Sequence, residues 1–129
     1  MILFCLPFPP PLHSLTVNAP RRGRVPSQRY LTWKRAAGND VLAQIKGQSP
    51  IKGPVKIMIS FGKPDNRKRD LTNLTKAPED LMVSHGLIDD DSYVEDMRIC
   101  WADIQGCEIR VWPASDVSFR VVELGRTAA

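Results

Sequence analysis

Residues 55–76 read VKIMISFGKPDNRKRDLTNLTK, and this stretch decides the predicted fold. Large apolar side chains occupy every second position from Val55 to Phe61, which predicts a half-buried strand. The polar residues 62–69 predict a turn, and a helix is expected from about residue 71 to 84. Pro78 falls inside that helix, so the helix is either kinked or begins afresh with Pro78 in its first turn.

The flanking segments continue this succession of strands and helices. Further strands are predicted at residues 2–6, 93–101 and 108–112, with a shorter one at 117–122. Residues 12–26 are expected to form a loop, and Ser27 is a candidate N-cap for a helix over 28–45. The order β-α-β-α-β-β predicts an α+β fold, in which two helices pack on one face of a small mixed sheet.

Length and composition exclude several classes of protein. The 129 residues predict a single domain, with residues 113–129 as a C-terminal extension. The hydrophobic fraction of 43% and the charged fraction of 25% exclude wholesale disorder and a collagen-like chain. The N-terminal apolar stretch stops at Pro7 and lacks a basic flank, so we expect a strand rather than a signal peptide, in a cytoplasmic protein. The three cysteines and two isolated histidines lack the spacing of a zinc site or a disulfide framework.

Charge divides the chain into two unlike halves. Residues 1–69 contain 13 Lys and Arg against 2 Asp, whereas residues 70–129 contain 5 Lys and Arg against 12 Asp and Glu. The basic residues include two compact groups: Arg21, Arg22 and Arg24, and then Arg67, Lys68 and Arg69. Either group alone is equally typical of a solvated surface. Two such groups beside a carboxylate-rich segment predict a surface that binds phosphate.

The candidate catalytic and metal-binding residues begin at the boundary between the two halves. Asp70 and Asn73 are three residues apart and Lys76 lies one turn further, so a helical start places all three on one side. Residues 89–91 are all aspartate, and such carboxylates repel one another unless a cation compensates them. Mg²⁺ prefers hard oxygen ligands, so a Mg²⁺ site that acts on a phosphodiester is one hypothesis. In the alternative, the triplet is a solvated turn and Asp70 merely caps a helix.

One sequence pattern resembles a known family, the RusA Holliday junction resolvases. The pattern is Asp70-Leu71-x-Asn73-Leu74-x-Lys76, then Asp80, then Asp90-Asp91-Ser92 before a strand. The opening Leu6-Pro7-x-Pro9-Pro10, with Asn18 downstream, is similar to the start of the same family. The resemblance implies a homodimeric, Mg²⁺-dependent endonuclease of phages and prophages. Such an enzyme resolves four-way DNA junctions by paired nicks in recombination and repair, with no membrane partner and no nucleotide cofactor.

The resemblance also implies a role for each matching residue. Asp70 and Asp91 would be metal ligands, with Asp90 close by. Lys76 would be the catalytic lysine, and Asn73 would organise the site through its amide. The two basic groups described above would bind the DNA backbone.

Thr72 departs from the family pattern, which usually shows Asp-x-Asp-Asn at this point. A neutral hydroxyl is a poorer Mg²⁺ ligand than a carboxylate. An alternative is therefore a catalytically weakened or inactive protein that still binds branched DNA. A third possibility is an unrelated basic domain that binds RNA or a protein partner and ignores Mg²⁺.

Overall fold

The computed structural model describes residues 1–116 and confirms the predicted α+β class. The strands of this part of the chain are β1 (Ile2–Leu6), β2 (Thr16–Ala19), β3 (Gly23–Pro26), β4 (Val55–Phe61), β5 (Val94–Trp101) and β6 (Cys107–Pro113). Its α-helices are α1 (Gln28–Gln44) and α2 (Lys76–Ser84), and its 3₁₀ helices are η1 (Leu12–Ser14), η2 (Leu71–Leu74) and η3 (Asp91–Tyr93). Neither α-helix is long and apolar enough to cross a bilayer.

Four of the strands form one mixed sheet in the order β1-β6-β4-β5. The inner strand β4 pairs in parallel with β5 and antiparallel with β6, and β6 pairs antiparallel with β1. The register aligns Phe4, Ile109, Ile59 and Ile99 in one row across the four strands. Because side chains alternate between the two faces of a sheet, such rows collect apolar residues on one face.

The two α-helices complete the core on that face. Ser27 caps α1 as predicted, since its Oγ accepts the backbone N–H of Tyr30 at 3.1 Å. The buried stripe that follows, Tyr30, Trp33, Ala37 and Val41, is also as predicted. Burial of such an apolar stripe, more than intrinsic propensity, stabilises a helix within a protein.

The opposite face of the sheet carries a second, smaller apolar cluster. Met58 and Trp112 are 3% and 2% exposed and pack together with Cys100. Met58 pairs with Arg110, so Trp112 lies diagonally across from it on β6, within reach of a large side chain. The prediction of a half-buried β4 is therefore wrong at Met58, because the side chain of Trp112 on the neighbouring strand packs against it.

Two predicted segments differ from the structure. Residues 12–26 are not a plain loop, because after η1 they form the antiparallel hairpin β2-β3. The expected helix 71–84 is divided into η2 and α2, and Pro78 is the third residue of α2. Pro78 thus sits in the first turn, where its missing N–H breaks no helical hydrogen bond, and the second of the two alternatives is confirmed. The strand predicted at 117–122 lies outside the described residues.

A polar clasp centred on Asp65 organises the connection between β4 and η2. Asp65 Oδ1 accepts the backbone N–H of Arg67 at 2.8 Å. Two guanidinium N–H groups of Arg69 donate to the two Asp65 oxygens at 2.6 and 3.0 Å. The same guanidinium lies over the ring of Phe8, 5.5 Å from its centroid. This Asp65 clasp therefore fixes the chain directly before Asp70 and ties it to Phe8, two residues after β1.

The clasp predicts a pH-dependent contribution to stability. Its hydrogen bonds, first of all that from Arg69, hold the pKa of Asp65 well below its usual range. Because the folded pKa lies below the unfolded one, the clasp stabilises the fold above about pH 4 and is lost as the pH falls further. We expect Asp65→Asn to lower the Tm at pH 7, with the gap to wild type closing in acid. Asp103→Asn, on another exposed loop, is the matched control; a gap independent of pH would contradict this account.

Candidate active site and nucleic-acid interface

The first turn of α2 brings Lys76 to two acidic side chains. Its Nζ lies 3.1 Å from Asp80 Oδ1 and 3.8 Å from Asp91 Oδ2. Asp80 is on the same helix, whereas Asp91 begins η3 directly before β5. The hydrogen bond to Asp80 is the main cause that raises the pKa of Lys76, so the amine keeps its proton at neutral pH. The structure thus brings together Lys76 and Asp91, which the sequence had linked only through the family pattern.

Glu79 adds a carboxyl group that the sequence analysis did not single out. It is half-buried in the first turn of α2, three residues after Lys76. Burial and then the charge of Asp91 raise the pKa of Glu79, while Lys76 and a hydrogen bond from Thr75 act in the opposite direction. Glu79 and Asp91 are therefore close enough to repel each other. The three-residue spacing from Lys76 was the available signal, but it required knowing that a new helix begins there.

The other two aspartates of the triplet have partners of their own. Asp90 Oδ2 accepts the hydroxyl of Ser92 at 2.6 Å, which lowers the pKa of Asp90. Asp89 accepts the backbone N–H of Gly53 at 2.8 Å and lies 3.4 Å from the Lys52 ammonium. The Gly53 bond is the main cause that lowers the pKa of Asp89. Asp89 therefore anchors the loop that precedes β4.

Asp70 and Asn73 line a cavity of about 380 Å³. The Asn73 N–H donates to the Asp70 carbonyl at 3.1 Å, so the 3₁₀ turn directs both residues to the same side, as their spacing predicted. The basic run 67–69 lines the same cavity, and so do His13 of η1 and Arg29 of α1. In the sequence, Arg29 is a basic residue that follows the first basic group and His13 has no assigned role, because nothing in their local sequence connects either of them to Asp70.

The predicted metal ligands do not form one preassembled cluster. Within residues 1–116, no three His, Cys, Asp or Glu side chains form a group that could hold a metal ion. Asp70 lies in the cavity, whereas Asp91 lies beside Lys76 and Glu79. Thr72, exposed on η2, adds only a hydroxyl. Mg²⁺ is often held by one or two carboxylates together with waters and a substrate phosphate, and the donors present suit that mode.

The first basic group lies on the β2-β3 hairpin and does not line this cavity. Arg21 occupies the turn with a φ of 64°, and both it and Arg22 are exposed. Arg24 donates to Thr16 Oγ1 at 2.7 Å and to Asn18 Oδ1 at 3.3 Å, so its guanidinium braces the hairpin. The two predicted basic groups therefore belong to separate elements, and the second is the one that shares a cavity with Asp70.

Comparison with known proteins agrees with the resemblance seen in the sequence. A family model described as endodeoxyribonuclease RusA matches residues 7–112. The crossover junction endodeoxyribonuclease rusA of Enterobacteria phage HK97 is 30% identical over 125 residues, which cover 94% of this chain and 93% of that protein. The crossover junction endodeoxyribonucleases RusA of Escherichia coli K12 and of Enterobacteria phage 82 are each 48% identical over 46 residues, 36% of this chain and 38% of theirs. With a match over most of its length, this chain belongs to the RusA family of endodeoxyribonucleases.

Proposed function

We propose that this chain is a Mg²⁺-dependent endonuclease that resolves four-way DNA junctions by paired nicks, in recombination and repair in the cytoplasm. The observation that carries the proposal is the basic cavity in which Asp70 and Asn73 lie beside Arg67 and Lys68. Guanidinium and ammonium groups pair strongly with phosphate oxygens, so a phosphodiester is the ligand that suits this cavity. Its relatives in phage HK97 and Escherichia coli K12 are crossover junction endodeoxyribonucleases, which supports a junction as the substrate.

Lys76 is proposed to act as a fixed positive charge rather than as a base. Its ammonium lies between Asp80 and Asp91, and the hydrogen bond to Asp80 holds both its position and its proton. A cation placed in advance stabilises negative charge that develops on phosphodiester oxygens in the transition state. Asp80 is accordingly a positioning residue, and Asn73 would orient the substrate or a ligand through its amide.

Asp70 and Asp91 are proposed to hold the Mg²⁺, with Asp90 close by. Each offers hard carboxylate oxygens, and the substrate phosphate would complete the ligand set. When bound, Mg²⁺ would supply Lewis-acid stabilisation of the charge that builds on the scissile phosphodiester.

Two surfaces are proposed to bind the DNA backbone. One is the hairpin with Arg21, Arg22 and Arg24, and the other is the cavity run of Arg67, Lys68 and Arg69. Within the run, Arg69 already pairs with Asp65, so its main contribution is to position its neighbours. Such a footprint predicts binding that weakens steeply with salt, because phosphate contacts release counterions.

A homodimer is the assembly that fits this reaction. Paired nicks require two active centres, and each chain supplies one centre, with its own Lys76 and Asp70. A two-fold symmetric dimer would present these centres to opposing strands of a junction that is itself nearly two-fold symmetric. Light scattering at micromolar concentration should therefore give twice the mass of one chain.

The alternative function is a branched-DNA-binding protein whose catalysis has weakened. Thr72 is the observation that favours it, because a hydroxyl stands where the family usually has a carboxylate. The basic cavity does not depend on Thr72, so binding would survive the loss of cutting.

Lys76→Ala is expected to abolish cutting while leaving junction binding nearly intact. The loss should be at least about 100-fold in rate, as for the removal of one preorganised transition-state contact. The measurement is gel cleavage of an immobile four-way junction with Mg²⁺, alongside a gel-shift assay in EDTA. Lys46→Ala, an exposed lysine after α1, is the control for lost charge. Equal loss of cutting and binding in Lys76→Ala would refute its catalytic role.

Thr72→Asp is expected to strengthen the response to Mg²⁺. An added carboxylate should lower the Mg²⁺ concentration for half-maximal cutting by about tenfold or more. Thr72→Asn is the matched control, because asparagine has a shape similar to that of aspartate but carries no charge. Nicks that appear only with Thr72→Asp would establish the weakened-catalyst alternative, whereas paired nicks by wild type would establish a working resolvase.

Replacement of Arg21, Arg22 and Arg24 together by alanine should weaken binding to linear and branched DNA alike. Three lost phosphate contacts would reduce the slope of log K against log salt by about 3. The assay is fluorescence anisotropy over a salt series. The single variant Arg24→Ala also tests whether Arg24 stabilises the hairpin. A lower Tm of this variant would distinguish an effect on folding from an effect on DNA binding. Unchanged affinity in the triple variant would remove the hairpin from the DNA footprint.

A further inference from the structure

We propose that His13 and Arg29 form a strand-binding wall, so that the DNA strand to be cut lies between this wall and Asp70. Both residues line the cavity that contains Asp70 and Asn73. Neither belongs to the sequence pattern that resembles the RusA family. The inference deepens the proposed junction-resolving function and rests on it.

The wall is held in place by three hydrogen bonds between η1 and the start of α1. The Ser27 N–H donates to the Leu15 carbonyl at 2.9 Å, and the Ser27 hydroxyl donates to the Ser14 carbonyl at 2.6 Å. Arg29 Nη1 donates to Ser14 Oγ at 3.4 Å. Arg29 also lies in the first turn of a 17-residue helix that is anchored in the core. Arg29 is exposed, and its anchored helix together with the bond to Ser14 places its guanidinium beside η1.

The wall also has a defined position relative to the catalytic segment. η1 contacts η2, the 3₁₀ helix that begins directly after Asp70. The cavity between them, about 380 Å³, falls within the usual range of ligand pockets, about 300–1,000 Å³. Four basic side chains and a single carboxylate line it. A cavity whose charged side chains are mainly positive, from α1 and from the run 67–69, suits a phosphate backbone that binds in it.

The chemistry of the two side chains fits this role. A guanidinium has five N–H donors, and the bond to Ser14 uses one of Arg29's. The remaining donors can form paired hydrogen bonds to phosphate oxygens. The imidazole of His13 offers an N–H to the same backbone. Both residues would hold the strand in register with Asp70, while the reaction itself is left to the residues of η2, α2 and η3.

Binding of the full chain to an immobile four-way junction in EDTA tests the wall without requiring cutting. Arg29→Ala should weaken binding by about tenfold and lower the slope of log K against log salt by about 1. His13→Ala should weaken binding by about threefold, as for the loss of one hydrogen bond. Arg35→Ala is the matched control, because it removes the same charge from an exposed position on the same helix.

A second arm identifies the phosphate. Each junction in this arm carries one neutral methylphosphonate in place of a phosphate near the branch point. At one position we expect this change to weaken binding by the wild-type protein but not binding by Arg29→Ala. Arg29→Lys keeps the charge and should restore most of the slope of log K against log salt. The thermal unfolding of Arg29→Ala should match that of Arg35→Ala.

The outcomes distinguish the wall from the function on which it rests. Equal weakening by Arg29→Ala and Arg35→Ala, with no methylphosphonate position that couples to Arg29, would overturn the wall and leave the proposed function standing. Wild-type binding that does not prefer the junction over linear duplex would overturn the proposed function and the wall with it.

Discussion

Parallel pairing of β4 with β5 is the constraint on which the rest of the structure depends. Parallel neighbours cannot be joined by a tight turn, so the chain must travel from the end of β4 to the start of β5 through a long connection. That connection, residues 62–93, contains the Asp65 clasp, η2, α2 and η3. Every residue proposed for catalysis lies within it. The sheet fixes both ends of the segment, and burial of α2 against the core fixes its middle.

Within this connection, contacts between particular side chains determine the local charge, and the net charge of the segment does not. Lys76 meets Asp80 and Asp91, and the nearby Glu79 leaves this small region with more carboxylates than cations. The adjoining cavity has the opposite sign, since its one carboxylate, Asp70, lies among basic side chains. An acidic centre next to a basic cavity can attract ligands of both signs, because basic side chains attract a polyanion and carboxylates attract a cation. The basic and acidic halves of the sequence thus contribute to two adjoining regions, the basic cavity and the acidic group around Lys76.

The features that could be predicted from the sequence are those set by neighbours along the chain. The Ser27 cap and the stripe from Tyr30 to Val41 follow from helical spacing alone, and α1 matches the prediction. The hairpin β2-β3 was missed because its short, exposed strands lack an apolar alternation. Met58 was expected on an open face, but the register brings Trp112 across it. Asp89 looked like part of the acidic group, and its bond to Gly53 depends on a loop that lies far away along the chain.

By itself, the sequence determined the α+β class, the main strands and helices, the family pattern from Asp70 to Lys76 and the presence of Thr72 within it. These properties depend on composition, periodicity and spacing, which are local. The tertiary structure was needed to place Asp91 rather than Asp89 beside Lys76, to add Glu79 to their charge, and to bring Arg29 and His13 into the cavity that contains Asp70. The physical reason is that these contacts join segments whose relative positions are set by sheet pairing and core packing, which no local pattern records.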